Sequence, residues 1–188
     1  MFKHIRPALA ALILMTLITG VLYPLSVMAV AQLAFAEQAN GSLVRDREGQ
    51  VRGSALLAQP FEGPEWFHPR PSAANYATVA SGASNLAPSN PLLVDQVRER
   101  VSEWNGTAQQ PVPMELVTTS GSGLDPHLTL AAAKFQAVRV AAARGVSEQA
   151  LDRLIQAQLT TPLVGPAIVN VLALNLALAD NPQPDSGE

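Results

Sequence analysis

Residues 7–36 read PALAALILMTLITGVLYPLSVMAVAQLAFA, 30 consecutive residues without a charge. A bilayer-spanning helix needs about 20 apolar residues, so this run is long enough to cross a membrane. Lys3 and Arg6 precede it, and no basic residue follows until Arg45. The positive-inside bias then gives a cytoplasmic segment at 1–6, a transmembrane helix at 7–33 and a periplasmic or extracellular remainder at 34–188. A cleaved secretory signal is the alternative, because Ala29-Val30-Ala31 and Ala34-Phe35-Ala36 both fit an A-x-A pattern. The apolar core of a signal is usually about 7–15 residues. Here 22 residues separate Arg6 from Ala29, and that length favours a retained anchor. Both readings put the rest of the chain outside the cytoplasm. Pro24 frees a backbone carbonyl that a local hydroxyl or a neighbouring helix can satisfy. Small Gly20, with Tyr23 and Pro24, marks the expected helix-packing face.

Of 188 residues, 14% are charged, against about 25% in an average soluble domain. All 15 acidic residues lie at Glu37 or later, with ten of the 12 basic ones, so this part carries 10 − 15 = −5. A net-acidic domain argues against a nucleic-acid partner. The absence of cysteine removes disulfides, thiol chemistry, zinc–thiolate sites and a lipobox.

Residues 41–59 read as a hairpin turning at Asp46-Arg47-Glu48-Gly49. The stretch 60–90 is a long loop rich in Pro, Ser and Asn. Its Trp66, Phe67 and Tyr76 argue for burial or a partner rather than disorder. Asn90 caps a helix that begins at Pro91, and its stripe runs through Leu93, Val97, Val101 and Trp104 to Asn105-Gly106. A strand is expected over 114–118. Asp125-Pro126 then starts a long helix to Arg144, with Ala131, Phe135, Val138 and Ala142 on its inner face and Gly145 as its stop. Ser147 caps a shorter helix with Leu151, Leu154 and Ile155 inward. IVNVLALNLAL (168–178) reads as a buried strand with an optional helical tail. A disordered tail is expected over 181–188. The fold class is α+β: one N-terminal transmembrane helix followed by a small extracytoplasmic α+β domain.

LVTTSGSGLDPH (116–127) raises the question of phosphate binding. A P-loop needs a lysine directly after its last glycine. Lys3 and Lys134 are the only lysines, and neither follows a glycine. The dinucleotide pattern lacks its third glycine after Gly121 and Gly123, and Ser122 has the wrong flanks for a hydrolase elbow. Ser120, Asp125 and His127 read better as turn and cap residues than as a triad, so no catalytic residue is assigned. His68 and His127 stand without a second ligand at metal spacing, so no metal site is assigned either. Trp66 to Tyr76, with Arg70 and rigid prolines, suits a protein-docking face.

Taken together the motifs resemble the KdpC subunits of bacterial Kdp-type potassium-transporting ATPases. The matching residues are Val21-Leu22-Tyr23-Pro24, Gln38-Ala39-Asn40-Gly41-Ser42-Leu43, Gly53-Ser54 with Gln59 and Phe61, and Arg70-Pro71-Ser72-Ala73. They continue through Ser84-Asn85-Leu86, Pro88-Ser89-Asn90-Pro91, Val117-Thr118, Ser120 to His127, Gln136 with Arg139-Val140-Ala141, and Val169 to Leu172 with Leu174-Asn175. Ala87 stands where the family usually has glycine, and Pro166-Ala167-Ile168 replaces a segment that usually carries an arginine.

The resemblance implies a non-catalytic subunit of a high-affinity potassium uptake complex in the bacterial inner membrane. Its implied partners are a potassium pore subunit, a P-type ATPase subunit bearing the phosphorylated aspartate, and a small helical subunit. The complex uses ATP, Mg and K+, while this chain is expected to bind no cofactor directly. Two mechanisms compete: assembly with capping of the outer side of the pore subunit, or a catalytic chaperone raising ATP affinity through the SGSG loop. Topology favours the first, because the loop lies on the side without ATP. A free-standing exported binding module is a further alternative. Contacts with partners are expected at Arg70, Ser72, Tyr76, Asn85, Ser89, Asn90, Ser120, Gly121, Ser122, Gly123, Asp125 and His127, and with membrane helices and lipid at Gly20, Tyr23 and Pro24.

Overall fold

The computed structural model describes residues 2–107 and 109–180; the expected tail at 181–188 lies outside the described residues. Two compact units divide the chain, the first ending at Leu43 and the second starting at Val44.

In the first unit a 30-residue apolar helix runs over Ile5–Ala34, long and apolar enough to cross a membrane. It comprises α1 (Ile5–Leu17), a π-helical turn (Ile18–Leu22) and α2 (Tyr23–Ala34). The π turn has a local cause. Pro24 has no N–H, and its ring crowds the carbonyl of the preceding turn. Widening the helix just before it relieves that clash, and the Tyr23 N–H reaches back five residues to the Ile18 carbonyl. Ser26 Oγ donates to the Leu22 carbonyl at 2.7 Å, and Thr19 Oγ1 to that of Met15 at 2.7 Å. A one-turn helix, α3 (Ala36–Ala39), follows.

The second unit is an α+β domain with two small sheets. Strands β1 (Leu43–Arg45) and β2 (Val51–Ser54) form the expected hairpin. Asp46 Oδ1 accepts from the N–H groups of Glu48 and Gln50, and Gly49 supplies the positive φ of the turn, 79°. Helix α4 (Pro91–Glu103) starts as expected, with the Asn90 side chain accepting from the Leu92 N–H.

Three expectations give way here. Residues 114–118 are not a strand: Met114–Val117 is a helical turn, α5. Adjacent Leu116 and Val117 are both buried, which a two-residue alternation cannot provide. The long helix does not start at Asp125-Pro126. His127–Thr129 is strand β3, pairing antiparallel with β5 (Ile168–Asn170) through His127↔Asn170 and Thr129↔Ile168. Pairing to a distant strand overrides the local start signal. The cap passes to Thr129, whose Oγ1 accepts from the Ala132 N–H at the head of α6 (Leu130–Arg144). The run 168–178 is strand for only three residues. Asn170 Oδ1 accepts from the Ala173 N–H and turns the chain into α8 (Val171–Asp180).

The core centres on α6, which packs on α7 (Glu148–Ala157), while α7 also packs on α8. The buried face of α6 is Ala132, Ala133, Gln136, Ala137, Val140 and Ala141. Ala131, Val138 and Ala142 are exposed, so the inner face is rotated from the expected one, and Phe135 lies at its edge. Alanines there leave room for close helix approach. Leu151 and Ile155 of α7 are buried against this surface as expected, with Leu154 beside them. Gly145 stops α6 in the left-handed region, and Ser147 caps α7. The sheet order is β3-β5-β4, with β4 at Leu159–Thr160.

Candidate functional site at the glycine loop

The SGSG loop meets the 66–82 segment. The Ser120 N–H donates to the Pro71 carbonyl at 3.2 Å, and the Gly82 N–H donates to the Ser122 carbonyl at 2.8 Å. Ser81 Oγ donates to the same Ser122 carbonyl at 3.0 Å. Within the loop, Gly123 N–H returns to the Ser120 carbonyl, and Leu124 N–H donates to Ser122 Oγ. Gly123 is required by shape: its φ is +69°, and a Cβ there would lie 2.8 Å from the Gly82 carbonyl oxygen and 3.2 Å from Ser72 Oγ. At Gly121 a Cβ would meet open space. Ser120 is buried, while Gly121 and Ser122 face solvent.

Arg70 joins the two segments. Its Nη1 is 3.4 Å from Asp125 Oδ2, and its Nη2 donates to the Thr119 carbonyl at 3.3 Å. Arg70 therefore has a charge partner that the sequence alone did not reveal. Asp125 does not cap a helix; its Oδ1 accepts from the His127 N–H at 3.1 Å. The His127 side chain, that backbone N–H and the Arg70 guanidinium hold the Asp125 carboxyl below the ordinary value, against the opposing effect of burial. Tyr76 sits at φ 60°, an uncommon region for a bulky residue. Two bonds hold it there: its N–H donates to Ser72 Oγ, and its hydroxyl donates to the Arg70 carbonyl at 3.0 Å. Burial raises the Tyr76 phenol, which keeps that donor protonated.

Arg70, Ser72, Tyr76, Ser120, Gly121, Ser122, Gly123, Asp125 and His127 thus belong to one constellation. Asn85, Ser89 and Asn90 stand differently. The Asn85 amide turns back to the Ala83 carbonyl, Ser89 is exposed, and Asn90 caps α4. Gly20, Tyr23 and Pro24 flank or occupy the π turn of the apolar helix.

The residues that fix this segment were not singled out from sequence as site residues. Two fully buried amides grip the backbone of Phe67 and His68. Asn175 Oδ1 accepts from the Phe67 N–H and Nδ2 donates to the Phe67 carbonyl, both at 2.9 Å. Gln136 does the same for His68, at 2.8 and 2.9 Å. Each side chain thereby satisfies a donor and an acceptor that a neighbouring strand would otherwise pair. Arg139 donates to the carbonyls of Pro64 and Trp66, and Arg144 Nε to that of Glu65. Their guanidinium groups also cover the rings of Trp104 and Trp66 at 5.2 and 4.4 Å. His68 is half-buried, with Nε2 bonded to the Gly63 carbonyl at 2.9 Å and its ring against Trp104. Burial lowers its pKa, so the ring stays neutral and donates. Elsewhere Glu115 ties α5 to the head of α6, accepting from the N–H and hydroxyl of Thr129. The readable signal was polar Gln136 and Asn175 on otherwise apolar helix faces.

Chemically, the constellation is suited to holding shape. Arg70, a cation beside the loop, is paired with Asp125, and the one lysine in the domain, Lys134, is 2.8 Å from Asp152. Among the described residues no three His, Cys, Asp or Glu side chains gather as metal ligands.

Comparison with known proteins places this chain in a family. Residues 5–180 match the family described as KdpC, the K+-transporting ATPase c chain. A relative from Pseudomonas aeruginosa called "Potassium-transporting ATPase KdpC subunit" is 60% identical over 179 residues, covering 95% of this chain and 98% of that protein. Proteins of the same description from Pseudomonas savastanoi pv. phaseolicola and Pseudomonas putida F1 are 60% and 58% identical over 182 and 178 residues. These alignments cover 97% and 95% of this chain and 96% of each relative.

Proposed function

Because the chain belongs to the KdpC family, the c chain of K+-transporting ATPases, and is a subunit of such a complex, we propose that it is the non-catalytic assembly member. Its domain lies on the extracytoplasmic side and caps the outer mouth of the pore subunit. The phosphorylated aspartate and the nucleotide belong to a P-type ATPase partner on the other side. The single helix inserts in the inner membrane with Lys3 and Arg6 in the cytoplasm, and packs on partner helices and lipid around Gly20, Tyr23 and Pro24.

One observation carries this reading: the SGSG loop is tied back to its own chain at Ser120, Ser122 and Gly123. The Ser120 and Gly123 N–H groups bond to the Pro71 and Ser120 carbonyls, Gly123 abuts the Gly82 carbonyl, and Arg70 is paired with Asp125. A P-loop instead places a lysine directly after its last glycine, and the one lysine of this domain, Lys134, is paired with Asp152. Arg70, Ser72 and Tyr76 hold the docking segment in the shape that a partner recognises. The test is made on the purified complex. Gly121→Ala and Ser122→Ala should leave the KM for ATP unchanged, whereas Arg70→Ala with Tyr76→Ala should lower recovery of this subunit with the complex. A raised KM in the two loop variants, in an intact complex, would favour the catalytic-chaperone role.

A further inference from the structure

The loop joining β4 to β5 carries two adjacent aliphatic side chains in full contact with solvent: Leu163 at 101% and Val164 at 87% exposure. Single exposed apolar residues are ordinary, and Val79 and Met114 are of that kind. An adjacent pair projecting from a hairpin tip is different, because nothing in its own domain gains from it. The tip is braced. Pro162 and Pro166 fix the backbone on both sides, and Gly165 turns it at φ +107°. Strand pairing of Leu159↔Val169 and Thr160↔Ile168 sets the base. Leu163 and Val164 are therefore held outward rather than being free to fold back.

The surrounding chemistry identifies the occupant. From Leu154 to Ala179 the chain has 26 consecutive residues without a charge. A tip entering lipid would drag no ion with it, and burying an unpaired ion is the main cost of such entry. Exposed Thr160 and Thr161 supply hydroxyls at the neck of the tip, chemistry suited to polar headgroups. The domain also follows a helix long and apolar enough to span a bilayer, with only eight residues, 35–42, between that helix and β1. This tether keeps the domain at a membrane surface, so a weak apolar contact with lipid is favoured by high local concentration. The cleft between the hairpin turn and α8 has both of its arginines paired, as Arg52–Asp46 and Arg47–Asp180, so neither is left to hold an anion.

We propose that the Leu163–Val164 tip is a lipid-inserting wedge that steadies the domain at the bilayer interface. Its contact is apolar, so it responds little to salt or to the fraction of anionic lipid. The chain contains no cysteine, which makes a single-site probe straightforward. The full chain, without partner subunits, is placed in nanodiscs of phosphatidylethanolamine and phosphatidylglycerol carrying a nitroxide lipid. An environment-sensitive fluorophore is attached at Leu163→Cys or, as a control, at exposed Ala142→Cys. The expected result is a blue shift and loss of emission at position 163 but not at 142, unchanged by added salt. Adding Val164→Asp to the labelled chain should abolish both effects while leaving its melting temperature unchanged. Water-like emission at position 163 in nanodiscs overturns the proposal. Shielding that arises only after the other subunits of the complex are added overturns it equally, and reassigns the tip to a protein socket.

Discussion

Replacing Asn175 by leucine isolates the buried amide grip. The side chain is 1% exposed, and both of its polar atoms bond to the backbone of Phe67. Leucine has the same branched shape and is somewhat bulkier, so it leaves no cavity. It strips the Phe67 N–H and carbonyl of their partners in a site that water does not reach. Each orphaned group costs about 1–3 kcal/mol, and the added apolar burial returns about 1 kcal/mol. The net loss is about 1–5 kcal/mol, a large share of the roughly 5–15 kcal/mol that stabilises a typical domain. With a urea slope of about 2 kcal/mol/M, the midpoint falls by about 0.5–2.5 M. Urea titration of the full chain in detergent, followed by tryptophan emission, reads this directly, since Trp66 precedes Phe67. Asn175→Asp keeps the acceptor, loses the donor and buries a charge, so it should be at least as damaging. A midpoint shift below about 0.2 M for Asn175→Leu, equivalent to under roughly 0.5 kcal/mol, would refute the claim that this amide holds the loop.

Other outcomes follow from the same geometry. Gly123→Ala places a Cβ 2.8 Å from the Gly82 carbonyl at a positive φ and should lower stability by about 2–3 kcal/mol, whereas Gly121→Ala should be near neutral; thermal melts compare them. Burial depresses the folded pKa of His68 below its unfolded value near 6.5. Its stabilising contribution is thus complete above about pH 6.5 and is lost as pH falls through the lower folded value, a loss that melting curves should find reduced in His68→Gln. Asp125 is depressed by the His127 side chain, with help from Arg70, so its contribution is present above about pH 4 and is lost as pH falls through the folded value. Acid titration of Asp125→Asn should lack that component.

Local chemistry made part of this fold legible. The Asp46–Gly49 turn, the Asn90 and Ser147 caps and the Gly145 stop each depend on a few neighbouring residues. They stand where the sequence puts them. What escaped depends on residues far apart in the chain. Asp125-Pro126 is a good helix start in isolation, but β5 captures His127–Thr129 first. The 168–178 run hid a helix because almost every residue is apolar. Its periodic face, Val171, Leu174, Asn175 and Leu178, becomes visible only once Asn170 is recognised as a cap. Fixing of the 63–68 segment by Gln136, Arg139, Arg144 and Asn175 spans 68 to 108 residues of sequence between the buried amides and their targets. No local rule reaches that distance. The same is true of the Arg70–Asp125 pair, which binds together two motifs that looked independent.

Sidedness of the glycine loop is the most direct test of the account. Ser122 is exposed, and the chain has no other cysteine to confuse labelling of Ser122→Cys. A membrane-impermeant maleimide is applied to cells with a permeabilised outer membrane, and separately to inverted inner-membrane vesicles. Labelling in cells and protection in inverted vesicles is the predicted result. Labelling only from the cytoplasmic face would put the loop beside ATP and contradict the account.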